Sequence, residues 1–285
     1  MDVRIRAMKQ EDIETCGRIC YEAFKTIAEK HNFPPDFPSP EAAAGLLSYL
    51  LSGGHIYSVV AEADGRVVGS NFLWEAADIA GIGPITIDPS VQNGSIGRRL
   101  MDAVMCRAQE HRFAGVRLVQ AAYHNRSLSL YTKLGFYTRE PLSVMQGEPL
   151  GVLISGHEVR PAVKGDVEAC NELYLRIHGH ERRAELIEAI NQGTAMVVEH
   201  SGRITGYATQ ISFMGHAVAE SNEDMKALIG AARSFDGPGF LLPTRNHTLF
   251  RWCLEKGLRV VMPMTLMSTG LYNEPGGAFL PSIIY

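Results

Sequence analysis

The segment from Ile82 to Arg98 is the part of the sequence whose residues most clearly indicate a chemical role. In it an apolar strand runs through an Asp-Pro pair into a glycine-containing loop that opens directly onto an amphipathic helix. The first N–H groups of such a helix have no intrahelical partner and lie at the positive end of the helix dipole. Gly94 and Gly97 allow close approach to these groups, and Arg98 follows at once. The pattern predicts a loop that binds phosphate or pyrophosphate. A plain strand-to-helix turn with surface arginines accounts for the glycines and arginines equally well.

A second group of residues lies downstream, after the strand VRLVQAA: Asn125, then Tyr131 on a short helix, then a Gly-Phe pair. Together with the loop Gln92–Gly97, this order and spacing resembles the GNAT superfamily of acyl-CoA-dependent N-acyltransferases. The signature of that family is an apolar strand, a proline and Gln/Arg-x-x-Gly-x-Gly/Ala opening a helix. Ser95 stands in the place of its first glycine.

The resemblance implies how an acyl donor binds. It implies acetyl-CoA as the cofactor, with the pantetheine arm in a wedge between the strand ending at Asp88 and the strand ending near Ala122. Backbone groups of the first strand would pair with that arm as an added strand does, and the loop would hold the pyrophosphate. The acyl-CoA-binding residues that the resemblance assigns are Ile85, Thr86, Ile87, Gln92, Asn93, Gly94, Ser95, Ile96, Gly97, Arg98 and Asn125.

The implied reaction is direct attack of an amine on a thioester carbonyl, which needs a neutral amine and a proton for the leaving thiolate. Tyr131 matches the tyrosine that the family uses to protonate the thiolate; the alternative is a core aromatic residue on its helix. The family has no fixed general base. Glu75, just before the cofactor strand, is our catalytic candidate for that role, and Glu62 and His124 are alternatives. Each of these three side chains also fits a plain solvated position.

The two halves of the chain repeat one pattern. Arg6 and Asp12 recur as Arg160 and Asp166, and the hairpin sequence EADGRVVG recurs as EHSGRITG. The third matched block in each half is a helix with an asparagine as its N-cap and a glycine at its C-terminal end. Three matched blocks in the same order predict a duplication of one domain.

The repeat and the resemblance together predict a catalytic GNAT domain at residues 1–145 and a degenerate GNAT-like domain at 157–285. We expect an α/β (α+β) fold of two tandem GNAT-like domains, each a mixed, mostly antiparallel central sheet flanked by helices. The matched helices are predicted to be capped by Asn125 and Asn246, and the C-terminal LPSIIY is predicted as a final strand. The second copy lacks the Gln-x-x-Gly-x-Gly loop, so we expect it to shape the acceptor pocket instead of binding CoA.

Composition narrows the class of protein. The 285 residues carry 27 Lys and Arg against 31 Asp and Glu, a net charge of −4, which supplies no basic field for a nucleic acid. No apolar run is long enough for a membrane span and the N-terminus lacks a signal-peptide pattern, so a cytoplasmic protein is expected. The five cysteines have no spacing typical of disulfides or zinc sites. His178 and His180 are expected in a solvated loop and not at a metal.

These observations predict an acetyl-CoA-dependent N-acetyltransferase that acts on a primary amine of a small molecule, with an acceptor pocket near the proline-rich segment HNFPPDFPSP. A non-catalytic acyl-CoA-binding sensor or interaction module is the main alternative, and protein N-acetylation is a third. A dinucleotide-binding oxidoreductase is disfavoured, because Gly81-x-Gly83 runs into Pro84 within a strand instead of opening a helix. The sequence leaves open the acceptor, the acyl chain length and whether the protein forms a homodimer.

Overall fold

The computed structural model describes residues 3–92 and 94–284. The elements of the first half are, in chain order, β1 (Val3–Ala7), α1 (Ile13–Lys30), α2 (Pro40–Ser52), β2 (Ile56–Ala63), β3 (Arg66–Trp74), β4 (Ile79–Ile82), β5 (Thr86–Ile87), α3 (Ile96–Glu110), β6 (Gly115–Ala121), α4 (Asn125–Lys133) and β7 (Tyr137–Gln146). Those of the second half are β8 (His157–Pro161), α5 (Val167–His178), α6 (Arg183–Gln192), β9 (Met196–His200), β10 (Arg203–Ala208), β11 (Ala217–Ala219), α7 (Asn222–Ala231), β12 (Phe240–Pro243), α8 (His247–Glu255), β13 (Arg259–Gly270) and β14 (Ala278–Leu280). No helix in these residues is both long enough and apolar enough to cross a membrane.

Two sheets organise the chain. The larger is nine-stranded in the order β1-β2-β3-β4-β6-β13-β7-β12, with β5 attached to β3, and the smaller is five-stranded in the order β14-β11-β10-β9-β8. All of these pairings are antiparallel except the one between β4 and β6. Phe72 of β3 packs with α1 and α2, and the next residue, Leu73, packs with α3 on the opposite face. The mixed, mostly antiparallel sheet flanked by helices is therefore confirmed.

The same kind of ion-pair cluster occurs in both halves, where it joins the first strand, the first helix and the hairpin. The strand arginine donates to the aspartate before the helix at 2.7 Å in both halves, and its Nε donates to a hairpin glutamate at 2.9 and 2.8 Å. The arginine also holds the pKa of the aspartate below its usual range in both halves. The members are Arg6, Asp12 and Glu62 in the first half and Arg160, Asp166 and Glu199 in the second. The repeated sequence blocks thus build the same local structure twice.

The matched helices α4 and α8 differ in their caps from what the sequence predicts. His124 caps α4, because its Nδ1 accepts a hydrogen bond from the Ser127 N–H at 3.1 Å. The prediction that Asn125 is the cap is wrong by one residue. Asn246 does cap α8, with its side-chain oxygen accepting from the Leu249 N–H.

Strands from the two halves alternate at one end of the nine-stranded sheet. β13 pairs with β6 on one side and with β7 on the other, and β7 pairs in turn with β12. Leu266 of β13, for example, lies opposite Val119 of β6 and Glu140 of β7. This interleaving of strands therefore joins the two halves through continuous backbone hydrogen bonding.

The C-terminal segment closes a sheet edge in the second half. β14 pairs antiparallel with β11, with Leu280 opposite Ala217, and it also contacts β12. The predicted strand over LPSIIY is corrected here, because the strand ends at Leu280. Pro281 follows and has no N–H with which to continue a ladder, and Tyr285 lies outside the described residues.

A fragment of residues 1–150 should not fold alone. Without β13, the strands β6 and β7 lose their common neighbour, and the apolar contacts of the buried residues Leu266 and Met267 are lost with it. We expect the isolated fragment to aggregate or to show no cooperative thermal transition by circular dichroism, and to form a 1:1 complex when co-expressed with residues 151–285. A soluble, cooperatively melting monomer of residues 1–150 would contradict this role of β13.

Candidate active site

The central feature of the first half is a gap between two strands. β4 pairs with β6 only over Ile79–Gly81, after which the chain turns away and β5 pairs with β3 instead. Gly69 of β3 permits this pairing, since an added Cβ there would lie 2.6 Å from the Thr86 carbonyl oxygen. A cavity of about 1060 Å³ lies between residues 82–87 on one wall and residues 118–121 of β6 on the other. The resemblance implies the wedge for the pantetheine arm at this same position.

The wall formed by β5 presents backbone groups to the cavity. The Asp88 N–H donates to the Val68 carbonyl of β3, and main-chain groups alternate in direction along a strand, so the N–H groups of Ile85 and Ile87 face away from β3. The Ile87 carbonyl accepts a hydrogen bond from the Gln92 side chain at 3.2 Å. All three predicted strand residues, Ile85 to Ile87, line the cavity.

The predicted phosphate loop lies at the mouth of the cavity, where Ser95, Ile96, Gly97 and Arg98 line it at the N-terminus of α3. Ser95 has φ of +63°, a left-handed conformation that glycine adopts without strain and that explains a glycine in the family signature. An added Cβ on Gly97 would lie 3.2 Å from Ile87 Cδ1, so this position packs the helix closely on β5. Gly94 does not line the cavity, and Asn93 lies outside the described residues.

Basic residues surround this end of the cavity. Arg98, Arg126 and Lys133 all line it, and the Arg126 Nη2 donates to the Gln92 Oε1 at 2.7 Å. Gln92 therefore links β5 to α4 through its side-chain amide, in addition to lining the cavity. Positive side chains and the α3 dipole together favour an anion at this end.

Tyr131 is buried, 5% exposed, and lines the cavity from α4. Burial raises the pKa of Tyr131 to about 12, opposed in part by a hydrogen bond with the Ser127 side chain. At neutral pH the phenol therefore keeps its proton. Tyr131 also packs against Phe136, with ring centroids 6.3 Å apart, so the residue is a core aromatic as well as a cavity residue.

Glu75 is not brought to the cavity. Arg107 of α3 donates to both of its carboxylate oxygens, at 2.7 and 2.9 Å, and Glu75 does not line the cavity. The ion pair fixes α3 against the end of β3 and leaves this carboxylate away from Tyr131. The geometry therefore gives no support to Glu75 as a general base, and Glu62 is likewise bound to Arg6.

Asn125 and His124 both line the cavity at the start of α4. Burial lowers the pKa of His124, so its ring is neutral at pH 7. Its Nδ1 accepts the capping hydrogen bond, which places the proton on Nε2. Because the unprotonated nitrogen is already used, His124 is poorly arranged as a base.

Asp36 is a cavity residue that the sequence did not single out. It lies in the proline-rich loop between α1 and α2, is half-buried and lines the cavity. Burial raises the pKa of Asp36 to about 6. Its charge acts on Tyr123, whose pKa is raised to about 12, first by burial and then by Asp36. The sequence predicted the loop near the acceptor pocket, but the burial of one carboxyl depends on the tertiary contacts around it.

Gln120 is a second such residue. It is 6% exposed, lines the cavity from β6, and neither its Oε1 nor its Nε2 has a hydrogen-bond partner in the described part of the chain. A buried amide without a partner is costly, so a polar group of a ligand is the natural partner. The only sequence signal was one amide near the end of a mainly apolar strand.

The second half supplies another wall of the same cavity. Phe213 and Met214, from the segment between β10 and β11, line it together with Ile283 from the C-terminal segment. The Ile283 N–H donates to the Phe213 carbonyl at 2.9 Å, which holds the two segments together.

His178 and His180 are buried, each 4% exposed, and the expectation of a solvated loop is wrong. His178 ends α5 and stacks on Tyr174 with ring centroids 4.5 Å apart, while His180 lies edge-on to the same ring. Aromatic packing therefore accounts for their burial, and burial lowers the pKa of both.

Comparison with known proteins gives a family match within the first half. Residues 53–138 match the model of the acetyltransferase (GNAT) domain, which confirms the resemblance for the segment from β2 to the start of β7. No curated protein sequence gives a match.

Solved structures share the fold of nearly the whole chain. A Pyrococcus horikoshii protein assigned as an acetyltransferase has a TM-score of 0.70 and 17% identity, covering 99% of this chain and 92% of that one. A GCN5-related N-acetyltransferase of Sphaerobacter thermophilus has a TM-score of 0.62 and 16% identity, covering 95% and 96%. One of Anabaena variabilis has a TM-score of 0.56 and 13% identity, covering 94% and 72%. At these identities the likeness is one of fold.

Two serines before helices should respond oppositely to glycine. Ser95→Gly should raise the free energy of unfolding by about 0.5–1 kcal/mol, because φ is positive and the side chain makes no capping bond. Ser39→Gly should lower it by a few tenths of a kcal/mol (~0.3), because φ is −158° and the Ser39 hydroxyl accepts from the Ala42 N–H. Urea denaturation measures both; a loss of stability in Ser95→Gly would contradict the strained loop.

Asp36→Asn should stabilise the protein at pH 8 and not at pH 4. The pKa of Asp36 is raised from 3.8 to about 6 on folding, so the folded state binds the proton more tightly. Its contribution to stability is lost as pH rises through that window. We expect a gain of about 1 kcal/mol at pH 8, after allowance for the exposed part of the carboxyl, seen as a higher melting temperature. An equal shift at both pH values would contradict the burial of a charged carboxylate.

Proposed function

We propose, from the premise that residues 53–138 form a GNAT acetyltransferase domain, that the protein transfers an acetyl group from acetyl-CoA to the primary amine of a small molecule. The observation that carries this proposal is the position of Tyr131. Its buried phenol lies in the wall of a cavity that opens between β5 and β6 and that the N-terminus of α3 also lines. One cavity thereby joins an anion-binding helix end to a proton donor.

The residues around the cavity fit acetyl-CoA. A volume of about 1060 Å³ is at the upper end for small-molecule sites, which suits a donor and an acceptor together. The backbone edge at Ile85–Ile87 suits an extended chain that carries amides, and Ser95–Arg98 with Lys133 suits a pyrophosphate. Asn125 is a further residue that we assign to acetyl-CoA binding. Gln92 acts by holding the loop, since its amide bridges Ile87 and Arg126.

Tyr131 is the proton donor of the reaction. When bound, acetyl-CoA supplies a thioester whose acyl carbon the amine attacks. The Tyr131 Oη holds its proton at neutral pH, because burial raises its pKa to about 12. Its proton moves from Oη to the sulfur of the departing thiolate. The amine nitrogen gives up one proton as the amide forms, and that proton restores the Tyr131 phenol. The apolar side chains of Leu118 and Leu130 line the cavity and limit the access of water.

We propose further that residues 1–145 are the catalytic domain and residues 157–285 a degenerate copy that arose by duplication. The repeated ion-pair cluster and the shared order of elements support this division. At the same distance after the helix cap, α4 carries Tyr131 and α8 carries Cys253, so the second copy has no phenol at that position. β14 also occupies the edge of β11, where the first copy has its open wedge.

A non-catalytic acyl-CoA-binding protein is the second candidate. The observation that favours it is the position of Glu75, which is bound to Arg107 and lies outside the cavity. Binding of acetyl-CoA without turnover of any amine would support this candidate over the enzyme.

Tyr131→Phe should lower kcat by about 10²-fold, the usual contribution of a general acid, with less than a twofold change in the Kd for acetyl-CoA. Thiol release measures turnover, and calorimetric titration measures binding, with about one site per chain expected. Tyr137→Phe is the matched control, because Tyr137 is 64% exposed and outside the cavity. Equal turnover in Tyr131→Phe and the control would remove Tyr131 from the reaction.

A further inference from the structure

The large cavity has walls on both faces of the nine-stranded sheet. Leu118 of β6 and Leu73 of β3 pack in one cluster with α3. Their neighbours along the strands, Val119 and Phe72, face the other way, and Phe72 packs with α1 and α2. Because Leu118 and Val119 both line the cavity, it passes through the gap between β5 and β6 and joins the two sides of the sheet.

Tyr131 and Asp36 lie on opposite sides of this gap. Tyr131 of α4 packs on the α3 side, in one cluster with Leu118. Asp36 lies in the loop between α1 and α2, where Phe33 and Phe37 pack on the other side of the sheet. Tyr131 and Asp36 line the same cavity. A thioester bound in the gap therefore has a phenol on one side and a carboxyl group on the other.

Asp36 is the cavity residue best suited to take a proton. Among the described residues, the carboxylates that line the cavity are Asp36 and Asp236, and Asp236 is exposed and accepts a hydrogen bond from Gln210. The half-buried Asp36 side chain makes no hydrogen bond or ion pair within residues 3–92 and 94–284. His124 uses its unprotonated nitrogen in the cap of α4. Both carboxylate oxygens of Asp36 thus remain able to accept a proton.

The surroundings of Asp36 set its affinity for a proton. Its charge acts on Cys20 of α1 and on Tyr123. Both of these groups are neutral at pH 7, because burial raises the pKa of the Cys20 thiol and raises that of Tyr123 to about 12. Burial alone raises the pKa of Asp36 to about 6. Asp36 is therefore ionised at pH 7 and holds a proton more tightly than an exposed carboxylate does, which suits a general base.

We infer that Asp36 is the general base of the acetyl transfer, taking the proton that the amine nitrogen loses on the α1–α2 side of the sheet while Tyr131 protonates the thiolate on the α3 side. This inference rests on the proposed function and adds the proton acceptor that the proposed function leaves unassigned. Glu75 and Glu62, the carboxylates expected from the sequence, are each bound to an arginine.

The protons balance over one turnover. As the C–N bond forms, the nitrogen loses a proton to an Asp36 carboxylate oxygen. The C–S bond breaks with its electron pair on sulfur, and the sulfur takes the proton of the Tyr131 Oη. The phenolate, with a pKa of about 12, then recovers a proton from the Asp36 carboxyl, with a pKa of about 6, along the cavity that joins them. An amine that enters as an ammonium ion first gives one proton to solvent.

The pH dependence of acetyl transfer tests this assignment. Methoxyamine serves as the acceptor, because it is a small primary amine that stays mostly neutral from about pH 5 to about pH 8 and adds little ionisation of its own to the profile. The wild-type kcat/KM should fall about 10-fold per pH unit below about pH 6 and level off above it. Asp36→Asn should lower kcat about 10²-fold at pH 8 and remove this pH dependence.

Three further variants separate a catalytic role from a structural one. Asp36→Glu keeps the carboxyl group and should retain the pH dependence, with a kcat about 10-fold above that of Asp36→Asn. Tyr131→Phe should lower kcat and still show the fall below pH 6, because its base is intact. Asp64→Asn, in an exposed turn outside the cavity, is the matched control and should change neither. Since Asp36→Asn is expected to raise the melting temperature at pH 8, its loss of kcat there is not a loss of fold.

The same assays separate failure of this inference from failure of the proposed function. Calorimetric titration with acetyl-CoA and wild-type turnover of methoxyamine test the function, and absence of wild-type turnover overturns the function and the base together. Wild-type turnover with the same kcat and the same fall below pH 6 in Asp36→Asn overturns the base alone. Loss of that fall in Asp236→Asn, with Asp36→Asn unaffected, also overturns it, because the base is then the other carboxylate of the cavity.

Discussion

The arrangement of the site depends on the departure of β5 from β6. A strand within a sheet normally satisfies its backbone groups on both sides, and a buried unpaired group costs about 1–3 kcal/mol. Here β6 has β13 on one side and, beyond Arg117, no strand of the described residues on the other. The cavity therefore has walls made of sheet edges, which a ligand with its own amides can complete. The short connection from β5 brings the N-terminus of α3 to the same opening, and α4 adds Tyr131.

In the second half the corresponding sheet edge is paired with another strand instead of being left open. Its counterpart edge, on β11, is paired with β14 from the C-terminal segment. Asp224 at the start of α7 is 3% exposed and accepts hydrogen bonds from Thr205 and Ser221, so a carboxylate is built into the interior near that helix end. One fold therefore contains an open edge and a covered edge. The covered half contributes side chains to the open one, through Phe213 and Ile283.

Local signals made much of this structure predictable. The loop before α3 follows from glycines and from a strand that runs directly into an amphipathic helix, which are signals that act over a few residues. The role of Tyr131 followed instead from the resemblance to the GNAT family. The partner of Glu75 was not predictable, because Arg107 lies on another element and only packing brings the two together. Asp36 depends in the same way on tertiary burial. The cap at His124 instead of Asn125 is a choice between neighbouring residues with similar ability to accept a hydrogen bond.

The position of β13 between β6 and β7 also has a consequence for synthesis of the chain. About 140 residues separate Ala121, at the end of β6, from Arg259, at the start of β13. At roughly 5–20 residues per second, the ribosome needs on the order of ten seconds to make that stretch. During this time the first half has emerged with an unpaired apolar edge, which is a template for pairing with other chains. Nascent chains on one messenger are therefore exposed to mutual strand capture until β13 has been made.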